Sequence, residues 1–188
     1  MKKTIKLSST VCVVLFMVVI FCPFDVWAVR PLKVCELFTK AEAGEIFKEA
    51  ISSERARKTT APAGDSCTYF YKKKGDVYSV AVKISSSGEI KQEGIFKSAK
   101  DVFDRQKRVR IANEGAAKLM QKVPIPLVDA FWSGSDLWIL KGDYLVTVLV
   151  RSHLAGKFKN TEEMARAQAD QDLEYSKKVA EKVLPEIK

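Results

Sequence analysis

The sequence predicts an α+β domain, an antiparallel sheet of about five to six strands covered by helices in the order helix–strands–helix–strands–helix. Three observations carry this expectation. Apolar residues recur at helical spacing in three separate stretches, residues 40–52, 98–113 and 161–184. Between them lie short runs rich in aromatic and β-branched residues alternating with smaller or polar ones. The strand-like runs are joined by turns such as Lys73-Lys74-Gly75-Asp76 and Lys141-Gly142-Asp143, too short for a parallel crossover, so neighbouring strands should run antiparallel. With 47% apolar and 29% charged residues, the 188-residue chain has enough apolar side chain for a core, which excludes collagen-like, low-complexity and fully disordered chains.

The first residues read differently. Lys2, Lys3 and Lys6 precede a twelve-residue apolar run, Val11 to Cys22, and Val26-Trp27-Ala28 offers a small residue at a cleavage position. This is the layout of a secretory signal peptide over residues 1–28, cut after Ala28, which leaves residues 29–188 as a single domain in the periplasm or outside the cell. A permanent anchor fits less well, because a span needs about 20 apolar residues and Pro23 and Asp25 interrupt the run. Lipid attachment at Cys22 is disfavoured by the bulky Phe21 before it. Removing Lys2, Lys3, Lys6 and Asp25 leaves 29 bases against 22 acids. Cys35 and Cys67 also remain, and in an oxidising compartment an isolated pair most simply forms one disulfide. Their spacing is unlike C-x-x-C and no histidine lies near either, so a redox or zinc pair has no support.

In order along the chain, Thr39 with Glu42 three positions on is a capping box, and Ala43, Ile46, Phe47, Ala50 and Ile51 give the following helix one apolar side. Arg55 to Ser66, with Ala61-Pro62-Ala63-Gly64-Asp65, reads as a loop. Cys67 to Tyr71 is an aromatic strand, and Tyr78, Val80, Val82 and Ile84 mark the strand that returns from its hairpin. The disulfide would then tie the start of the first helix to the edge of this hairpin. Ala99, Val102, Phe103, Val109 and Ala112 line the second helix. Pro124 and Pro126 force an extended approach to Asp129-Ala130-Phe131-Trp132. Leu137 to Leu140 and Tyr144 to Arg151 are two further strands. Asn160 caps the last helix with Glu163 at the third position, and Arg166–Asp170 and Glu174–Lys178 pair along its polar side. Lys74-Gly75-Asp76 and Lys141-Gly142-Asp143 form a faint internal echo, but the inward faces of the strands after them differ by one residue in register.

The run Cys35-Glu36-Leu37-Phe38-Thr39-Lys40-Ala41-Glu42-Ala43, followed by Gly64-Asp65-Ser66-Cys67-Thr68-Tyr69, resembles a family of small exported bacterial proteins with no established activity. Val128-Asp129-Ala130-Phe131-Trp132, Leu137-Trp138, Gly142-Asp143 and the closing helix extend the likeness over most of residues 33–185, while Pro126 stands where that pattern has a glycine. The resemblance implies an extracytoplasmic α+β domain like the PsbP-type helix–sheet–helix sandwich, and it implies no reaction.

Candidate chemistry is sparse. His153 is the single histidine, at a strand end, and its neighbour Ser152 should point to the opposite face. No nucleophile elbow, nucleotide-binding glycine loop, zinc ligand set or calcium loop is present, so neither an enzyme nor a cofactor is expected. Charge is more informative. Lys97, Lys100, Lys107, Arg108 and Arg110 cluster with Arg105 on the second helix and Lys72-Lys73-Lys74 on a hairpin tip, a basic balance suited to an anionic surface. Asp101–Arg105 and Asp104–Arg108 are spaced to cancel part of that field. The expectation is an exported, non-enzymatic binding or scaffolding protein of the bacterial envelope, whose partner is another envelope protein or an anionic surface and not nucleic acid. The alternative is a small-ligand carrier or enzyme with a cleft beside the aromatic strands, lined by Tyr69, Tyr71, Trp132 and Trp138.

Overall fold

The computed structural model describes residues 32–187, so the signal-peptide segment lies outside the described residues. Helix α1 is Val34–Leu37 and α2 is Lys40–Phe47. Strands β1 Ile51–Thr59, β2 Gly64–Lys73 and β3 Asp76–Ser86 follow, then helices α3 Ser87–Glu93, α4 Ala99–Ala112 and α5 Glu114–Leu119. Strands β4 Gln121–Lys122, β5 Asp129–Trp132, β6 Asp136–Lys141 and β7 Tyr144–Arg151 lead to α6 Thr161–Val183 and a closing 3-10 turn, Leu184–Glu186. The predicted class and order hold, with seven strands in place of five or six.

All seven strands join one antiparallel sheet in the order β1-β2-β3-β7-β6-β5-β4. Two three-stranded meanders, β1–β3 and β5–β7, meet at the β3–β7 seam, where Val80, Val82 and Ile84 face Val150, Val148 and Val146. The hairpin turns explain the shifted echo. Lys74 (φ 52°) and Gly75 (φ 91°) are the two central residues of the first turn, closed by Lys73 and Asp76. In the second, Gly142 (φ 53°) and Asp143 are central, between Lys141 and Tyr144. The shared lysine–glycine–aspartate string therefore sits one position differently in the two loops.

The sheet has two unlike faces. Helices α1, α2 and α6 cover one, on which Cys67, Tyr69, Tyr71, Val80, Val82, Leu137, Ile139, Val148 and Val150 form the main core with Phe38, Phe47, Leu173, Val179 and Val183. Helix α6 spans roughly 35 Å at about 1.5 Å per residue, and its second half, from Asp172 to Val183, is the part that packs on β6, β7 and α2. Asn160 caps its start, accepting from Glu163 N–H, and Lys141 at the far side donates to the carbonyls of Leu184 and Ile187. On the other face α3 and α4 bury Ile90, Ala99, Val102 and Phe103 against Phe131, Leu145 and Trp138. That smaller core belongs to the β5–β7 half, and on β1–β3 the same face carries exposed and half-exposed side chains.

Local differences from expectation have physical causes. The first helix stops at Phe47 because Lys48 turns left-handed (φ 53°), and Ile51 opens β1. Arg55 to Thr59, expected as loop, belongs to an edge strand whose side chains are nearly all in solvent, so it lacks an alternating apolar signal. Cys67 consequently lies on the second strand and not at the sheet's edge. Helix α3 rests on a second capping box, Ser86 with Glu89. Val109, expected on the buried side of α4, is 60% exposed. The ion pairs also differ: Lys100 binds Asp104, Arg166 binds Glu162 and Lys177 binds Glu174, while Arg105 lies over the Phe96 ring.

Candidate anion-binding surface

The aromatic residues proposed to line a cleft lie mainly inside the core. Tyr69, Tyr71 and Trp132 are at most 2% exposed. Phe38 meets Tyr69 edge-on at 5.5 Å, and Phe47, Tyr71 and Tyr78 stack in series at 5.3 and 5.4 Å. Burial raises the Tyr69 hydroxyl well above the usual tyrosine range and pushes Tyr71 up to about 12. Both hydroxyls are used internally: Tyr69 donates to Phe38 O, and Tyr71 accepts from His153 N–H at 3.1 Å. Trp138 is half-buried on the opposite face, stacked 6.2 Å from Phe131 and capped by the Arg110 guanidinium at 5.1 Å. Surface grooves of about 370 and 460 Å³ run instead along α6, one lined by Asn160, Glu163, Arg166 and Asp170, the other by Asp136, Arg151, Gln168 and Asp172.

A polar cluster at the end of β7 gave no signal in the sequence. Ser152 is buried, and its N–H (2.9 Å) and hydroxyl (2.5 Å) both donate to Asp172 Oδ1, while Gln171 Nε2 donates to its oxygen at 2.6 Å. His153, expected at an exposed strand end, is half-buried with Nδ1 2.9 Å from Tyr78 Oη. The histidine thus faces a tyrosine on β3, while the serine is held by a carboxylate of α6. The cluster fastens the C-terminal helix to the sheet, since Asp172 satisfies the two donors that β7 leaves at its end.

Cys35 and Cys67 form a disulfide with Cα atoms 5.2 Å apart. Their sulfurs and a Glu54 oxygen lie within 4.8 Å of one another, but sulfurs bonded to each other supply no thiolate for a metal. Among the described residues, no helix is long and apolar enough to cross a membrane.

The cations are disposed more tellingly. Five ion pairs occur among the described residues, and of the cations selected from the sequence Lys100 pairs with Asp104 and Lys73 with Glu49. Lys107 and Arg108 point into solvent from α4, and Arg110 lies on Trp138. Strand register sorts the remaining charge. On β1–β3 the acids Glu54, Asp65 and Asp76 share one side with Tyr69, Ile84 and two lysines, Lys58 and Lys73. Arg55, Arg57, Lys72 and Lys83 take the open side, opposite Thr68, Ser66, Val77 and Thr147, and Arg151 joins them opposite Ser79. Helix α4 packs on that same side of the sheet, so the helix cations and the strand cations belong to one basic flank. Register along β1 was invisible to a reading that took Arg55 to Ser66 as a loop, so Arg55 and Arg57 were missed.

No family model, curated protein or solved structure matches the chain.

Proposed function

We infer that the protein is an exported, non-enzymatic binding protein whose anionic partner, a component of the cell envelope, docks on the basic flank formed by α4 and the open side of β1–β3. The observation that carries this reading is an uneven charge pattern: on β1–β3 the acids Glu54, Asp65 and Asp76 all take the helix side together with Lys58 and Lys73, while the open side carries Arg55, Arg57, Lys72 and the half-buried Lys83 and no strand acid. Random scatter would mix the signs and cancel the field, whereas a one-sided array sums its potential and steers an oppositely charged partner. The leader-like first 28 residues and the Cys35–Cys67 disulfide support an extracytoplasmic setting.

Retention on an anionic resin tests the reading. The protein should bind at low salt and elute early as ionic strength rises, because the screening length contracts from about 30 Å at 0.01 M to about 8 Å at 0.15 M. Replacing Lys107, Arg108 and Arg110 together by serine should lower the eluting salt concentration. Passage of the unmodified protein through the column at low salt would refute the anionic partner.

A further inference from the structure

The open half of the sheet has a regular layout. Side chains on it form cross-strand rows about 6.8 Å apart along the strands, and β1 to β7 spans about 14 Å at the usual strand spacing. One row reads Arg57, Ser66, Lys83, Thr147 and ends at Trp138 beneath Arg110. The next reads Arg55, Thr68, Ala81, Leu149 and ends at Asp136. The third reads Ser53, Phe70, Ser79, Arg151, and Lys72 with Val77 closes the array. The floor is therefore small and hydroxyl-rich, with Phe70 as the aromatic ring not capped by α4, and each row brings at least one cation. Among the described residues, the acids touching this field are Asp136 at its far rim and Glu93. Glu93 faces Lys83 electrostatically, and its carboxylate receives Ala61 N–H and Ala63 N–H in the β1–β2 turn.

We propose that this face binds an acidic polysaccharide, with Arg55, Arg57, Lys83 and Arg151 taking its carboxylate or sulfate groups and the Ser/Thr floor and Phe70 taking its sugar rings. The assignment rests on the anionic-partner reading above and adds the partner's class and its seat. Three features favour a sugar polymer. Guanidinium forks match carboxylate and sulfate oxygens two at a time, and three of the five strand cations on this face are arginines. Floor hydroxyls both donate and accept, as sugar hydroxyls do, and Ser66 alone among Ser53, Ser66, Thr68, Ser79 and Thr147 is engaged inside the described protein, donating to Arg57 O at 3.2 Å. Ala81, Leu149 and the Phe70 ring, over which Arg55 sits at 5.6 Å, supply flat apolar area for the C–H faces of pyranose rings. A membrane surface would need a set of insertable apolar side chains; on the strands of this face Val77 at 59% exposure is the one large apolar side chain so exposed, and the vesicle comparator tests whether Val109 and Ile111, exposed on α4, add to it. A nucleic-acid strand would need rings for successive bases, and the floor has one.

The test is a binding titration by fluorescence anisotropy with labelled heparin and polygalacturonate chains, using poly(dT), phosphatidylglycerol vesicles and neutral dextran as comparators. The polysaccharides should bind more tightly than poly(dT) at equal salt, and dextran should not bind. The pair Arg55→Ser/Arg57→Ser, on an exposed edge strand, should weaken polysaccharide binding about tenfold or more. Arg151→Ser should weaken it further, whereas Arg166→Ser/Lys182→Ser on α6, which packs on the other face of the sheet, should change it by less than about twofold. Thermal melts confirm that each variant is folded. Equal or tighter poly(dT) or vesicle binding, or polysaccharide binding unchanged in the Arg55/Arg57 and Arg151 variants, overturns the assignment while leaving an anionic partner. Failure of every anionic probe to bind at low salt overturns the anionic-partner reading itself.

Discussion

Two side chains show how single residues trade stability for other ends. The Tyr69 hydroxyl is fully buried and donates to Phe38 O beside the disulfide. Tyr69→Phe should cost about 1–2 kcal/mol in chemical denaturation, because a buried carbonyl loses its donor while the ring still fills its space. The two raised tyrosines also set a pH limit. Their folded values lie above the unfolded 10.0, so their contribution is complete below pH 10 and fades as pH climbs through the folded values. Tyrosinate absorbance should accordingly show Tyr69 and Tyr71 ionising together with alkaline unfolding instead of before it. Lys83 has the opposite sign. Burial lowers its amine below the ordinary 10.5, with Glu93 opposing, so folding penalises its charged form at neutral pH and the penalty lifts as pH rises toward 10.5. Lys83→Met should stabilise the fold slightly at neutral pH, since it removes a charge that burial penalises and solvent partly screens. Its advantage should shrink in alkaline melts while anion binding falls. A destabilised Lys83→Met variant at neutral pH would refute the penalty. Serine and histidine at positions 152 and 153 could be read only as neighbours, since Asp172, Gln171 and Tyr78 reach them from elements far away in the chain.

Whether an element could be read from the sequence depended on where its information sits. Helices α4 and α6 were legible because their caps and apolar stripes are local: Ser98 accepts from Asp101 N–H and Asn160 from Glu163 N–H. Strands β2, β3, β6 and β7 were legible because one face is buried and alternation follows. Strand β1 was not, since its hydrogen bonds come from β2 and its side chains from Ser52 to Lys58 meet water, a pattern shared with loops. The short α5 buries no residue, and β4 is held to two residues by its ladder with β5. The site followed the same division, for Lys107, Arg108 and Arg110 share one helix whereas the strand cations assemble only through register. The disulfide crosses this boundary. It joins α1 to the second strand and closes a loop of sequence separation 32, worth roughly 3–4 kcal/mol in the chain-entropy model. Paired Cys35→Ala/Cys67→Ala replacement should lower the stability of the oxidised protein by about that amount, measured by denaturant titration. A loss under about 1 kcal/mol would mean that the helix–strand packing alone holds α1 in place.

At the scale of the molecule, one face of the sheet is covered from β2 across to β5 and the other only over β5–β7, with β1 beyond Ile51 exposed on both sides, so the β1–β3 half is the thinner one. Its outer edge is long and unpaired, yet Glu54, Arg55, Arg57 and Lys58 put charge at four of five consecutive positions along it, which discourages strand-to-strand association between copies. The inner edge, at β3, has a different guard. It is closed by β7 alone, which the ribosome delivers only after residue 144, whereas β3 is complete at residue 86. At about 5–20 residues per second, that delay is roughly 3–12 s. During synthesis the first meander must therefore wait, with Val80, Val82 and Ile84 bordering an open ladder, for a partner that is still being made.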